Sequence, residues 1–171
     1  MNTPTPASDR VVFTEGSVAL PPGFEDRTTN IFVPTNTQTQ PNLSIARDWL
    51  QPGEALPSYL QRQLAQLQSR LSGYRVLSQG TLSLGPHAQG AKGLRIDATY
   101  KNGKVAVWQR QAVFLFKPQR AVIFTASSPR AFNDEFEALW GAWLASYTPP
   151  PHPDGDAGLG GDTPPSPEPA A

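Results

Sequence analysis

The chain has 171 residues, with 14 basic and 14 acidic side chains and no cysteine. That length fits one domain, and the absence of thiols excludes disulfides, thiolate nucleophiles and Cys-ligated metals. A balanced charge lacks the basic footprint of a nucleic-acid binder, and no run of about 18 apolar residues offers a membrane span.

The N-terminal stretch MNTPTPASDR has no apolar core of the kind a secretory signal needs, which makes the cytoplasm the expected location. Residues 1–10 are polar and expected to be disordered, and the domain is expected over 11–147. Within it, Val11 to Leu20 alternates weakly and reads as a strand ending at Pro21-Pro22-Gly23. Thr28 to Val33 is rich in β-branched and aromatic residues and stops at Pro34. Asn42 to Trp49 predicts a further strand, with Leu43 and Ile45 on one face and Asn42, Ser44 and Ala46 on the other.

Leu56, Leu60, Leu64, Leu67 and Leu71 recur at helical spacing and predict a helix over about 56–71 with one apolar stripe. Pro57 is tolerated in its first turn and Gly73 marks its end. Strands follow over Tyr74 to Leu84 and Gly93 to Tyr100. Asn102-Gly103 is a strong hairpin signal, and the return strand spans Val105 to Lys117. Pro118-Gln119-Arg120 turns the chain into Ala121 to Ala126. Ser128 and Pro129 have the residue types of a helix cap and first position, so the last helix is expected from there to about Tyr147. The fold class is therefore α+β: an antiparallel sheet of about six or seven strands with two main helices. Thr148 to Ala171 holds eight Pro and four Gly in 24 residues with no Lys or Arg. So little apolar surface cannot offset the entropy of ordering, and a disordered Pro/Gly-rich tail is expected.

Nothing in this pattern assembles an active site. His87 sits in a Gly-Pro loop and His152 in the tail, with no nucleophile elbow nearby. No spacing supplies metal ligands, and no Gly-rich phosphate loop opens a helix. No catalytic residue, metal or cofactor is expected, and the adjacent carboxylates Glu25-Asp26 and Asp134-Glu135 read as solvated. The seven basic residues from Lys92 to Arg120 read as the exposed face and turns of a sheet. More informative are polar residues among apolar ones. Gln109 and Gln111 share a face of the long strand with Val107, Val113 and Leu115, while Trp108, Arg110, Ala112 and Phe114 share the other. Neither face is cleanly polar, so both are expected to be at least partly covered. A buried amide needs partners, which either the fold or a bound polypeptide can provide. Ser44 and Gln63 raise the same question.

Several strings resemble a known family. Glu15-Gly16, Leu20-Pro21 and Asp26-Arg27-Thr28-Thr29-Asn30-Ile31-Phe32-Val33 resemble the opening of the DcrB-like family. Leu43-Ser44-Ile45-Ala46-Arg47-Asp48 with Pro52-Gly53-Glu54 resembles its next block, and Tyr59-Leu60-Gln61-Arg62-Gln63-Leu64 its helix. The likeness covers about Phe13 to Tyr147, and within the family the chain is most similar to the Eag chaperones of bacterial type VI secretion. DcrB itself is an envelope lipoprotein, and the N-terminal stretch does not fit that branch.

The resemblance implies a PsbP-like sandwich that forms a homodimer in the cytoplasm. It also implies a client, the N-terminal transmembrane region of a PAAR or Rhs toxin, shielded and then loaded on the VgrG spike. Neither nucleic acid nor stable insertion into a membrane belongs to that picture. The client groove it implies is lined by Ile31, Val33, Ser44, Gln61, Gln63, Ala65, Gln109 and Gln111, of which Gln61 and Gln63 lie on different faces of the helix. The alternative is a PsbP-like adaptor that binds a folded protein and has no transmembrane client. An enzyme or small-ligand binder on the same sandwich would need a deep pocket holding His87 and two carboxylates.

Overall fold

The computed structural model describes residues 10–36, 40–86 and 91–149. His87, His152 and the expected tail beyond Pro149 lie outside the described residues, as does the start of the chain before Arg10.

The elements in chain order are β1 (Arg10–Phe13), β2 (Gly16–Ala19), β3 (Asn30–Phe32), β4 (Asn42–Trp49), α1 (Leu56–Arg70), β5 (Ser72–Leu84), β6 (Ala91–Asn102), β7 (Val105–Lys117), β8 (Arg120–Ser128) and α2 (Asp134–Ala145). The α+β class with two helices and an antiparallel sheet is what the periodicity predicts. The sheet has six strands in the order β3-β4-β8-β7-β6-β5, and β1 and β2 form a separate hairpin. Every pairing between neighbours is antiparallel.

Each element follows from local chemistry. The loop between β6 and β7 is Gly103-Lys104, since Asn102 pairs with Val105. Only glycine residues take positive φ in the described chain, and Gly103 does so at +60°. A two-residue loop with glycine first matches the twist of the flanking strands. Gly93 answers a different need. A Cβ there would lie 2.5 Å from the Phe114 ring and 2.6 Å from the Val113 carbonyl oxygen, so any larger residue would push β6 off β7.

Adjacent residues of β7 point to opposite faces, and the core divides accordingly. Val113 packs with Ile96, Ala98 and Ala121 beneath Tyr59, Leu60 and Leu64 of α1. Ala112 and Phe114 pack with Leu84, Phe124 and Ala126 beneath Phe136, Trp140 and Leu144 of α2. The helices therefore cover opposite faces, giving three layers with the sheet in the middle. Burying each large apolar side chain stabilises the fold by about 1.5–3 kcal/mol.

Two expectations about boundaries are corrected. Val11 to Leu20 is not one strand: the chain turns at Thr14-Glu15, and Val11 pairs back with Val18. The last helix does not start at Ser128-Pro129. Ser128 is still in the sheet, paired with Trp108, and its Oγ accepts a hydrogen bond from the Arg130 N–H. The helix starts at Asp134, where the Asn133 side chain caps the Phe136 N–H at 3.0 Å. Asp134, Glu135 and Glu137 follow in the first turn, where the helix dipole favours negative charge.

Candidate functional site

The α2 face is packed with aromatic rings around Arg110, and it keeps hollows of about 320 Å³ beside Trp143 and Tyr147 and about 260 Å³ beside Trp140 and Glu137. Phe114 meets Phe124 edge to face, and Phe124 and Trp140 both meet Trp143. Arg110 is only 5 % exposed. It donates to Asp97 at 2.6 and 3.2 Å and to Glu137 at 2.6 and 2.9 Å. Its guanidinium also lies over the rings of Phe132, Phe136 and Trp140. Arg110 thus ties α2 to the sheet instead of decorating an exposed face as its charge alone suggested. Asp97 and Arg110 are cross-strand partners, a pairing that the two-residue loop at Gly103-Lys104 dictates.

The α1 face is covered only in part. Helix α1 lies over the β5 side, and Tyr59 and Gln63 reach to Asp48 of β4. The Tyr59 hydroxyl donates to Asp48 Oδ2 at 2.8 Å and Gln63 Nε2 donates to the same oxygen at 3.0 Å. Burial, and then the Asp48 carboxylate, push the Tyr59 hydroxyl above its ordinary pKa, which keeps it a donor. At the helix start Arg62 donates twice to Glu54, at 2.7 and 2.8 Å, and these bonds hold the Glu54 carboxyl down at about 2.

Beside α1 the sheet is open. A hollow of about 260 Å³ has Ala46, Ile123, Thr125, Gln111 and Val113 as its floor and Gln63, Leu64 and Leu67 as its wall. The strand registers carry this floor towards β3. Gln111 pairs with Thr125, Thr125 with Ser44, and Ser44 with Ile31, so these four share one row on one face. The next row holds Gln109 and Ser127. Ile31 stands at the rim and is 68 % exposed.

The polar groups of this face are poorly paired within the fold. Among the described residues, Ser44 and Gln111 make no side-chain hydrogen bond. Gln109 Nε2 reaches Ser127 Oγ only at 3.5 Å, and its buried Oε1 has no partner there. Buried polar groups are normally satisfied, and an orphan acceptor costs about 1–3 kcal/mol.

The residues expected to line a groove are thus placed unequally. Ile31, Ser44, Gln109 and Gln111 share the open face, and Gln63 meets it from the helix. Val33 follows β3 and is exposed. Gln61 points elsewhere, into a separate hollow with Gln79, Thr81 and Arg95, and Ala65 is on the solvent side of α1. Sequence reasoning missed Ala46, Ile123, Thr125 and Leu67. Thr125 follows from counting back across the β7–β8 turn, and Leu67 belongs to the leucine stripe already identified.

The family model for DcrB matches residues 15–146, nearly the whole described domain. The chain belongs to the DcrB family. No curated protein sequence matches this DcrB-family member. Its fold is similar to the crystal structure of a Pseudomonas aeruginosa protein of unknown function, described as a candidate regulator. The TM-score is 0.71 at 19 % identity, with 85 % of this chain and 99 % of the other covered. At that identity the likeness speaks for the fold of the DcrB-family domain alone. Among the described residues no helix is long and apolar enough to cross a membrane.

Proposed function

We propose that this DcrB-family protein is a chaperone for a type VI secretion effector. It holds the apolar N-terminal transmembrane region of a PAAR or Rhs-type toxin in the donor cytoplasm and supports its loading on the VgrG spike. The observation that carries the reading is the uncovered α1 face, where Ser44, Gln109 and Gln111 stand among apolar residues without adequate partners in the fold. A transmembrane helix in water exposes a large apolar surface that drives aggregation. The row from Ile31 to Gln111 offers apolar contact together with polar side chains that can meet the exposed backbone and small polar residues of such a helix. The chemistry asked of the site is binding, and no reaction is required of it.

The test is co-expression with the N-terminal region of a PAAR or Rhs toxin, sought among the neighbouring genes. The expected result is a soluble complex, with the toxin segment insoluble when expressed alone. A toxin segment that stays insoluble in the presence of the protein would overturn the reading. Capture of a folded toxin domain lacking transmembrane segments would favour an adaptor instead.

A further inference from the structure

The C-terminal end of α2 leaves a hollow of about 320 Å³ over the sheet. Aromatic rings make its walls. Phe116 meets Tyr147 edge to face at 5.5 Å, and Phe124 meets Trp143 in the same way at 5.2 Å. Phe116 is still 38 % exposed. Among the described residues, neither the Tyr147 hydroxyl nor the Trp143 indole N–H has a hydrogen-bond partner. Partial burial raises the Tyr147 pKa, so its hydroxyl stays a donor. Arg47 completes the lining. It donates to the Thr28 carbonyl at 3.0 Å and to Asn30 Oδ1 at 2.8 Å, and it forms no ion pair among the described residues.

Flat rings that carry N–H and O–H donors match a polyproline II helix. Its prolines lie against the rings, and its carbonyls, which make no internal hydrogen bonds, accept from Trp and Tyr. The chain itself carries such a sequence, Pro164-Pro165-Ser166-Pro167-Glu168-Pro169. From Thr148 onward it has Asp154, Asp156, Asp162 and Glu168 and no Lys or Arg, the sign that complements Arg47. The described residues end at Pro149, two positions after Tyr147, which lines the hollow. Residues 150–163 include four Gly. A Gly-rich stretch of that length spans roughly 20 Å, enough to bring the prolines back over a hollow of this size. Such a tether holds its ligand at an effective concentration on the order of millimolar.

We propose that the hollow at the end of α2 is a docking site for the chain's own residues 164–169. The prolines lie against Phe116, Trp143 and Tyr147, and the Glu168 carboxylate meets Arg47. Proline fixes φ before binding, so seating this one stretch demands far less ordering than folding the whole tail. The site is on the α2 face, opposite the open α1 face, so a docked segment leaves the α1 face free. Client capture by the α1 face and docking at the α2 face are independent of each other.

The experiment uses the full chain, which has no native cysteine, so Ala170→Cys carries a single nitroxide spin label. In the magnetic resonance spectrum the label is expected to broaden the Trp143 indole N–H and the amides of Phe116 and Arg47 more than those of Ser44 and Gln111 on the opposite face. Replacing both Pro165 and Pro167 by Gly is expected to reduce that broadening at least about fourfold, by removing two preset φ angles. Glu168→Arg is expected to reduce it about twofold, the scale of an exposed ion pair. Both changes lie outside the folded domain, so neither can act by unfolding it. Ser146→Glu puts a negative charge at an exposed position of the lining and is expected to act in the same direction. Equal broadening of the two faces, or broadening that all three variants leave intact, would overturn the docking site. So would equally strong broadening when an isotope-labelled chain without nitroxide is mixed with a spin-labelled one, since the occupant would then be a second copy.

Discussion

The two faces of the sheet solve the same problem in opposite ways. Under α2 aromatic rings pack over the sheet, with hollows left beside Trp143 and beside Trp140. Rings interlock, and the one buried cation, Arg110, meets two carboxylates and three aromatic faces. Under α1 the layer stops short, and the row Ile31-Ser44-Thr125-Gln111 runs out from beneath the helix with its polar groups unmet. One face is tied to its helix by ion pairs, and the other leaves part of its surface uncovered. Polar residues are present on both, and the contrast lies in the centre of each: Arg110 meets two carboxylates inside the fold, while Ser44, Gln111 and Gln109 Oε1 meet no partner among the described residues.

Substitutions should therefore divide the faces. The largest effect is expected for Arg110→Ala, which leaves the largely buried Asp97 carboxylate with only Ser78 Oγ at 2.9 Å and Arg95 Nε at 3.6 Å beside it among the described residues. Removing one partner of a buried ion pair costs about 3–5 kcal/mol, and denaturant unfolding should register it. A loss below about 1 kcal/mol would mean that Arg110 does not hold α2 to the sheet.

On the other face the cost should fall steeply. Gln63→Ala loses the hydrogen bond to Asp48, for about 1 kcal/mol. That bond makes Gln63 partly a residue of the fold. Ser44→Ala and Gln111→Ala break no bond among the described residues, and each should change stability by less than about 0.5 kcal/mol. Losses as large as that of Arg110→Ala would erase the distinction between the faces.

A smaller effect concerns the root of the hairpin. Hydrogen bonds from Thr28, then from Arg120, lower the Asp26 carboxyl from 3.8 to about 2. Its folded pKa lies below the unfolded one, so the stabilisation is present above about pH 4 and disappears as the pH falls towards 2. Asp26→Asn should flatten the melting temperature over that window relative to the unaltered chain and leave the profile at neutral pH parallel. Glu54 titrates over the same range, so the unaltered chain keeps some acid sensitivity in either case. An identical acid profile for Asp26→Asn would exclude the tie.

Much of this contrast was legible in the residues. Strand β4, helix α1 and strand β7 follow from alternation and from the leucine spacing, because those signals come from burial on one face and these elements each have one. The mixed faces of β7 also announced that both sides of the sheet are at least partly covered. The start of α2 was not legible, since Ser128-Pro129 has the residue types of a cap while the ladder with β7 claims Ser128 first. The split of Val11 to Leu20 into a hairpin hid behind a weak alternation. The role of Arg110 depended on register, which a reading of charge along the chain cannot supply. Gln61 and Ala65 show the same limit for the groove. The leucine spacing places both on the helix, and only the packing of α1 shows that they turn away from the open face.

The claim that the open α1 face holds an apolar helix is tested most directly by placing a charge in it. Ser44→Arg puts a guanidinium at the centre of the row, where a bound transmembrane helix would have to desolvate it. Capture of the toxin's N-terminal region should fall at least about tenfold, the equivalent of about 1.4 kcal/mol, with the melting temperature of the free protein little changed. Full capture by a stably folded Ser44→Arg chain would contradict the account.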